Sequence, residues 1–141
     1  MEMIRRDPES VYQISCDKWE EIVAGAYERA SFDEVILTPR SGDYGRDVIA
    51  SMNGIGSIRI FDQVKAYTPG HVVTANDVRA LSGVLVGAQN VSKGIITTTA
   101  EFAPGVMSDP FLAPLMPYRL ELKPREKLLR WLDELSAPHP G

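Results

Sequence analysis

Residues 47–67 hold two strand-like apolar runs, DVIASM and SIRIFDQVKAY, separated only by NGIG. Both runs favour extended backbone, and the glycines between them supply the freedom that a tight reversal needs. Together they read as a hairpin. The hairpin is unusual in its polar content: Asp47 heads the first run, and Gln63 and Lys65 stand near the tail of the second.

Upstream, from Asp17 as N-cap, Trp19, Ile22, Val23, Ala26, Tyr27 and Ala30 recur at helical spacing and make one apolar stripe. DEVILTP reads as a short strand stopped by Pro39, and RSGDYGR as a turn-rich loop. Downstream, TANDVRALSGVLVGAQ is expected to form a second helix capped by Thr74 or Asn76, with Val78, Leu81, Leu85 and Ala88 facing inward. Gly83 and Gly87 lie one turn apart on it, a spacing that permits close packing. KGIITTTA has the β-branched character of a buried strand, and YRLELK adds a short strand after a Pro-rich connection. Pro124 then opens a last helix docked by Leu128, Leu132 and Leu135. The order α-β-β-β-α-β-β-α describes an α/β (α+β) fold, a mixed β-sheet flanked by helices.

A chain of 141 residues, 44% of them apolar, suffices for one core and too little for two. There is no internal repeat, and only the first ten or so residues and the APHPG tail look frayed. No apolar run is long enough to span a bilayer, and MEMIRRDPESVYQ lacks the apolar stretch of a signal peptide, so the expectation is a soluble, cytoplasmic protein without membrane contact. The single cysteine, Cys16, excludes an internal disulfide and a Cys-based zinc site, and His71 and His139 are too far apart to suggest one. With no His-bearing motif beside it, Cys16 reads as a small semi-buried residue just before a helix rather than a nucleophile. A net charge of -4 and a pI near 5.2 argue against coating nucleic acid by bulk charge. Arg5, Arg6, Arg40, Arg46, Arg59 and Lys65 are scattered through the first half in the manner of a solvated surface.

Side chains alternate faces along a strand. Ile58, Ile60, Val64 and Ala66 therefore share one face of the second run, and Arg59, Phe61, Gln63, Lys65 and Tyr67 the other. In the first run Asp47, Ile49 and Ser51 share a face, and pairing across NGIG can bring Asp47 to the end where Gln63 stands. A carboxylate and an amide oxygen held close together suit a hard cation such as Mg²⁺, and a lysine alongside can orient a water or offset phosphate charge. The plainer alternative is that Asp47 caps a turn, Gln63 bonds a neighbouring strand and Lys65 snorkels from a sheet edge. In the first helix Glu20 lies at the border of the apolar stripe, able to reach inward, while Glu21 and Glu28 point to solvent.

The blocks KWEEIV, TPRSGDYGRDVIA, QVKAY, VRALSGVLVGAQNVSKGIITTTAEF and LKPREKLLRWLDEL resemble, in this order, the Mrr-like restriction endonucleases of the PD-(D/E)xK nuclease superfamily. The likeness runs from about Asp17 to Leu135. It implies a catalytic domain over residues 17–136, with residues 1–16 as an N-terminal extension and 137–141 as a tail. It also implies a metal-dependent DNA endonuclease, active in restriction or defence, that leaves a 5′-phosphate and a 3′-hydroxyl. Carried over residue by residue, Asp47 matches the metal-binding aspartate, Gln63 the first position of (D/E/Q)xK, Lys65 its lysine and Glu20 the helix-one glutamate. The Val64 carbonyl would be a further ligand of Mg²⁺ (or Mn²⁺). Many superfamily members carry a carboxylate where this chain has Gln63; the Mrr-like branch uses glutamine, and the amide's missing charge should weaken metal binding. Ser41, Arg46 and Tyr67 flank the site as weaker candidates for phosphate contacts. The resemblance leaves no residues for a separate DNA-reading domain, which implies a homodimer or a subunit whose partner carries specificity. A different class of reading remains beside it: an inactive nuclease-fold module that binds DNA or a protein partner, favoured by the acidic charge and opposed by the intact Asp47, Gln63 and Lys65.

Overall fold

The hairpin forms the middle of a five-stranded mixed sheet. A computed structural model describes residues 8–39, 47–54, 56–87 and 90–136. The strands of the main sheet are β1 (Glu34–Leu37), β2 (Asp47–Met52), β3 (Ile58–Lys65), β5 (Lys93–Thr98) and β7 (Leu120–Lys123), in the spatial order β1-β2-β3-β5-β7. The pairs β1·β2 and β2·β3 are antiparallel, whereas β3·β5 and β5·β7 are parallel. Two short strands that the sequence pattern does not reveal, β4 (Val72–Val73) and β6 (Glu101–Phe102), pair parallel in a small second sheet. The helices are α1 (Cys16–Arg29), α2 (Ala75–Gly87) and α3 (Arg125–Ser136). The expected loop RSGDYGR, the residues Arg5, Arg6 and Ala88, and the tail APHPG lie outside the described residues.

Strand alternation divides the core in two. On one face Trp19, Val23, Ala26 and Tyr27 of α1, with Leu128 and Leu132 of α3, pack on Val48, Ala50 and Val64. On the other, Val78 and Leu81 of α2 pack on Ile96, Leu120 and Leu122, and the long connection before β7 closes this side with Val106 and Leu112. Each such fully buried aliphatic side chain contributes roughly 1.5–3 kcal/mol relative to exposure.

Three local expectations are corrected. The cap of α1 is Ser15, whose hydroxyl accepts from the Lys18 amide at 3.1 Å; Asp17 is the second helical residue, where its charge favours the positive end of the helix dipole. Cys16 is accordingly the exposed first residue of the helix, not a semi-buried residue before it. The glycine that permits close packing is not on α2: a Cβ at Gly83 or Gly87 would meet nothing within 4 Å, while one at Gly94 of β5 would lie 2.9 Å from Leu85 Cδ1. Thr74 caps α2 reciprocally with Asp77, each side chain taking the other's backbone amide. A turn of 3₁₀ helix, Pro8–Gln13, buries Val11, whose carbonyl accepts from Trp19 Nε1 at 3.0 Å.

Candidate active site

Asp47 and Gln63 are direct cross-strand partners in the β2·β3 register. Paired residues in an antiparallel ladder project to the same face, about 5 Å apart at Cβ. Lys65, two residues beyond Gln63, shares that face, and all three are half-buried. This face carries α2, but the three residues stand where β2 begins and β3 ends, at one end of the sheet.

Threonines fix both strands there. The Asp47 amide donates to Thr38 Oγ1 at 2.8 Å, and the Thr38 amide returns a bond to the Asp47 carbonyl at 2.9 Å. Thr98 Oγ1 donates to the Lys65 carbonyl at 2.7 Å and accepts from the Ala100 amide at 3.0 Å. Thr99 Oγ1 bonds both the amide and the carbonyl of Tyr67, each at 3.0 Å. The TTT run of the sequence was the available signal for these supports, but it reads only as β propensity until the partner strand is known.

Glu20 is wholly buried at the start of α1. Its Oε2 lies 3.8 Å from Cys16 Sγ, a contact within the first turns of α1. Although Cys16 as a residue is exposed, its thiol is partly shielded from solvent, and this desolvation, with the Glu20 charge beside it, raises the thiol above its ordinary value. Tyr67 follows Lys65 on the same side, with the Lys65 ammonium 5.8 Å from its ring centre. Ser41 and Arg46 lie outside the described residues.

The donor set suits a hard cation. Gln63 Oε1 is buried with no hydrogen-bond partner among the described residues, an orphan that would cost about 1–3 kcal/mol unless something binds it. Carboxylate, amide oxygen and main-chain carbonyl are all oxygen ligands of the kind Mg²⁺ takes. Among the described residues no group of three or more His, Cys, Asp and Glu is assembled.

A family model described as restriction endonuclease, Mrr_cat, matches residues 11–132. The chain belongs to this restriction endonuclease family. Solved structures agree with the restriction-endonuclease fold. The DNA modification-dependent restriction endonuclease AspBHI is 17% identical with a TM-score of 0.59, over 92% of this chain and 36% of that one. The MspJI restriction endonuclease, in complex with a 27-mer oligonucleotide, is 17% identical with a TM-score of 0.62, over 89% of this chain and 29% of that one. The chain thus spans about a third of the length of these enzymes. No curated protein matches the sequence.

Behind the Asp47–Gln63 pair, on the opposite face of the sheet, lies a charged network that the sequence reading missed. Asp62, wholly buried, accepts from Tyr27 Oη at 2.6 Å and from Thr97 Oγ1 at 2.9 Å through Oδ2, while Oδ1 has no partner among the described residues. Burial raises its carboxyl above the ordinary aspartate value, against the pull of Lys123, Tyr27 and Thr97. Lys123 is also buried, its Nζ 3.5 Å from the Trp131 ring centre; burial lowers its ammonium, partly countered by Asp62 and Glu121. Burial and the neighbouring Asp62 hold the Tyr27 phenol well above its usual range. Alternation alone places Asp62 between Ile60 and Val64 on the core-facing side, which was the signal available for it. Among the described residues no helix is long and apolar enough to cross a membrane.

Proposed function

We propose that this restriction endonuclease domain is a metal-dependent DNA endonuclease, hydrolysing phosphodiester bonds in restriction or defence within the cytoplasm. The observation that carries the reading is the Asp47–Gln63 cross-strand pair with an orphaned Gln63 Oε1 and Lys65 on the same face. The Asp47 carboxylate, Gln63 Oε1 and the Val64 carbonyl would hold Mg²⁺ or Mn²⁺. When bound, the cation acts as a Lewis acid on the phosphate and lowers the pKa of a coordinated water. Lys65 orients the attacking water and offsets charge developing on the phosphate oxygens. Glu20 holds an outer-shell water through its buried carboxylate. Proton delivery to the leaving oxygen then yields a 3′-hydroxyl and a 5′-phosphate. Two copies, or one copy and a partner subunit, would address the two strands of a duplex.

The test is cleavage of supercoiled plasmid, methylated and unmethylated, with Mg²⁺, Mn²⁺ or EDTA. Wild type should nick or cut only with metal, Asp47→Ala should be inactive, and Lys65→Ala should lose about 10²–10³ in rate with folding intact. A Lys65→Ala variant that cuts normally would refute the assignment. No cleavage in any condition, with no metal bound in calorimetry, would favour a binding module.

A further inference from the structure

Immediately after β3 the chain turns sharply. The His71 amide donates to the Thr68 carbonyl at 3.1 Å, with Pro69 next and Gly70 at φ +84°, the geometry of a type II turn. This turn lays the imidazole of His71 on the Tyr67 ring, with ring centres 4.0 Å apart and planes 19° from parallel. The Tyr67 backbone is itself clamped at both polar groups by Thr99. The stack is therefore rigid on its inner side, while His71 is exposed.

Its polar atoms are uncommitted. Among the described residues, neither imidazole nitrogen, nor the Tyr67 hydroxyl, nor Lys65 Nζ makes a hydrogen bond or ion pair. Three side chains within seven residues thus offer N–H and O–H donors at and just beyond the end of β3 that carries Gln63, with no carboxylate among the described residues drawing on them. Donors of this kind, fixed before the ligand arrives, suit anionic phosphate oxygens.

We infer that the Tyr67–His71 stack binds a backbone phosphate of the substrate strand next to the one that is cut, with His71 a substrate-contacting residue that acts through its ring N–H. The inference rests on the nuclease reading above and adds a residue that positions the strand. A base stacked on the outer face of His71 is the competing use of the same ring.

The experiment compares wild type, His71→Ala and His71→Phe on a labelled duplex, by anisotropy in EDTA and by steady-state cleavage with Mg²⁺. His71→Ala should weaken duplex binding about tenfold and raise KM correspondingly, with kcat changed less than about threefold. His71→Phe keeps the stack without the N–H and should lose as much. Affinity and KM at the wild-type level in His71→Ala, or full affinity in His71→Phe, would overturn the inference. Wild-type cleavage measured alongside separates the two ideas: plasmid cutting with an unaffected His71→Ala removes only the phosphate seat. Absent cutting with a tenfold binding loss in both variants supports the seat and sinks the nuclease. Equal melting temperatures would show that the exposed side chain was removed without disturbing the turn.

Discussion

Among the described glycines, Gly94 is the one where an added Cβ would meet a close neighbour, on the sheet face that carries Asp47, Gln63 and Lys65, and Gly94→Ala tests that packing. The new Cβ would sit 2.9, 3.0 and 3.2 Å from Leu85 Cδ1, Cδ2 and Cγ. Carbon pairs prefer roughly 3.5–4.0 Å, so the outer Leu85 side chain must retreat by about half an ångström or more. Leu85 is only 4% exposed and has little room, which makes this overpacking at about 1–3 kcal/mol. Replacing glycine at an ordinary extended position returns about 0.4–1 kcal/mol by restricting the unfolded chain. The net expectation is a loss of about 1–2 kcal/mol, read as the shift in urea midpoint at unchanged m-value. Leu85→Ala alone should lose about 2–5 kcal/mol through its cavity. In the double variant the methyl added at position 94 enters that cavity, so the losses should fall short of additivity by about 1–2 kcal/mol. A Gly94→Ala protein as stable as wild type, or additive losses in the double variant, would show that α2 is not seated on β5 as described.

Thr98→Val keeps the side-chain shape but removes the bond to the Lys65 carbonyl and leaves the buried Ala100 amide unpaired. It should lose about 2–3 kcal/mol in denaturant melts and slow cleavage, because the end of β3 that carries Lys65 is loosened. Tyr27→Phe removes the 2.6 Å bond to the buried Asp62 carboxylate and should lose about 1.5–3 kcal/mol, with plasmid cutting retained. Asp62→Asn tests the pH dependence. Because the folded state raises this carboxyl above its unfolded value of 3.8, its contribution is present in full below that value and is lost as pH rises through the raised folded value. The stability of wild type minus that of Asp62→Asn should therefore fall between acid and neutral pH in paired melts, and a difference that rises instead would contradict the burial argument.

The parts legible in the sequence are those with periodicity. The alternating runs around NGIG gave the β2·β3 hairpin, and the helical stripe of Trp19, Val23 and Tyr27 gave α1 and its buried face. The Asp47–Gln63 pairing was within reach because a short connection ties register to the turn. What escaped depends on partners distant in the chain. Gly94 looks like any strand glycine until Leu85 is placed over it, whereas Gly83 and Gly87 have a suggestive spacing but nothing beside them. Asp62 and Lys123 are 61 positions apart, and no local pattern says that two charges will be buried on one face of a sheet. β4 and β6 have two residues each, too few to show a period, and are defined only by pairing with each other.

The three consecutive threonines of β5 and its end act together as a ratchet on β3. Thr97 bonds Asp62 on one face, Thr98 bonds the Lys65 carbonyl at the strand edge, and Thr99 brackets Tyr67 beyond the strand end. Sliding β3 by one residue along β5 would break all of these bonds at once and turn Lys65 to the opposite face. The lysine therefore has one discrete station relative to β5 and no neighbouring one. Errors in its placement would arise as the wholesale loss of the strand pair, not as gradual drift.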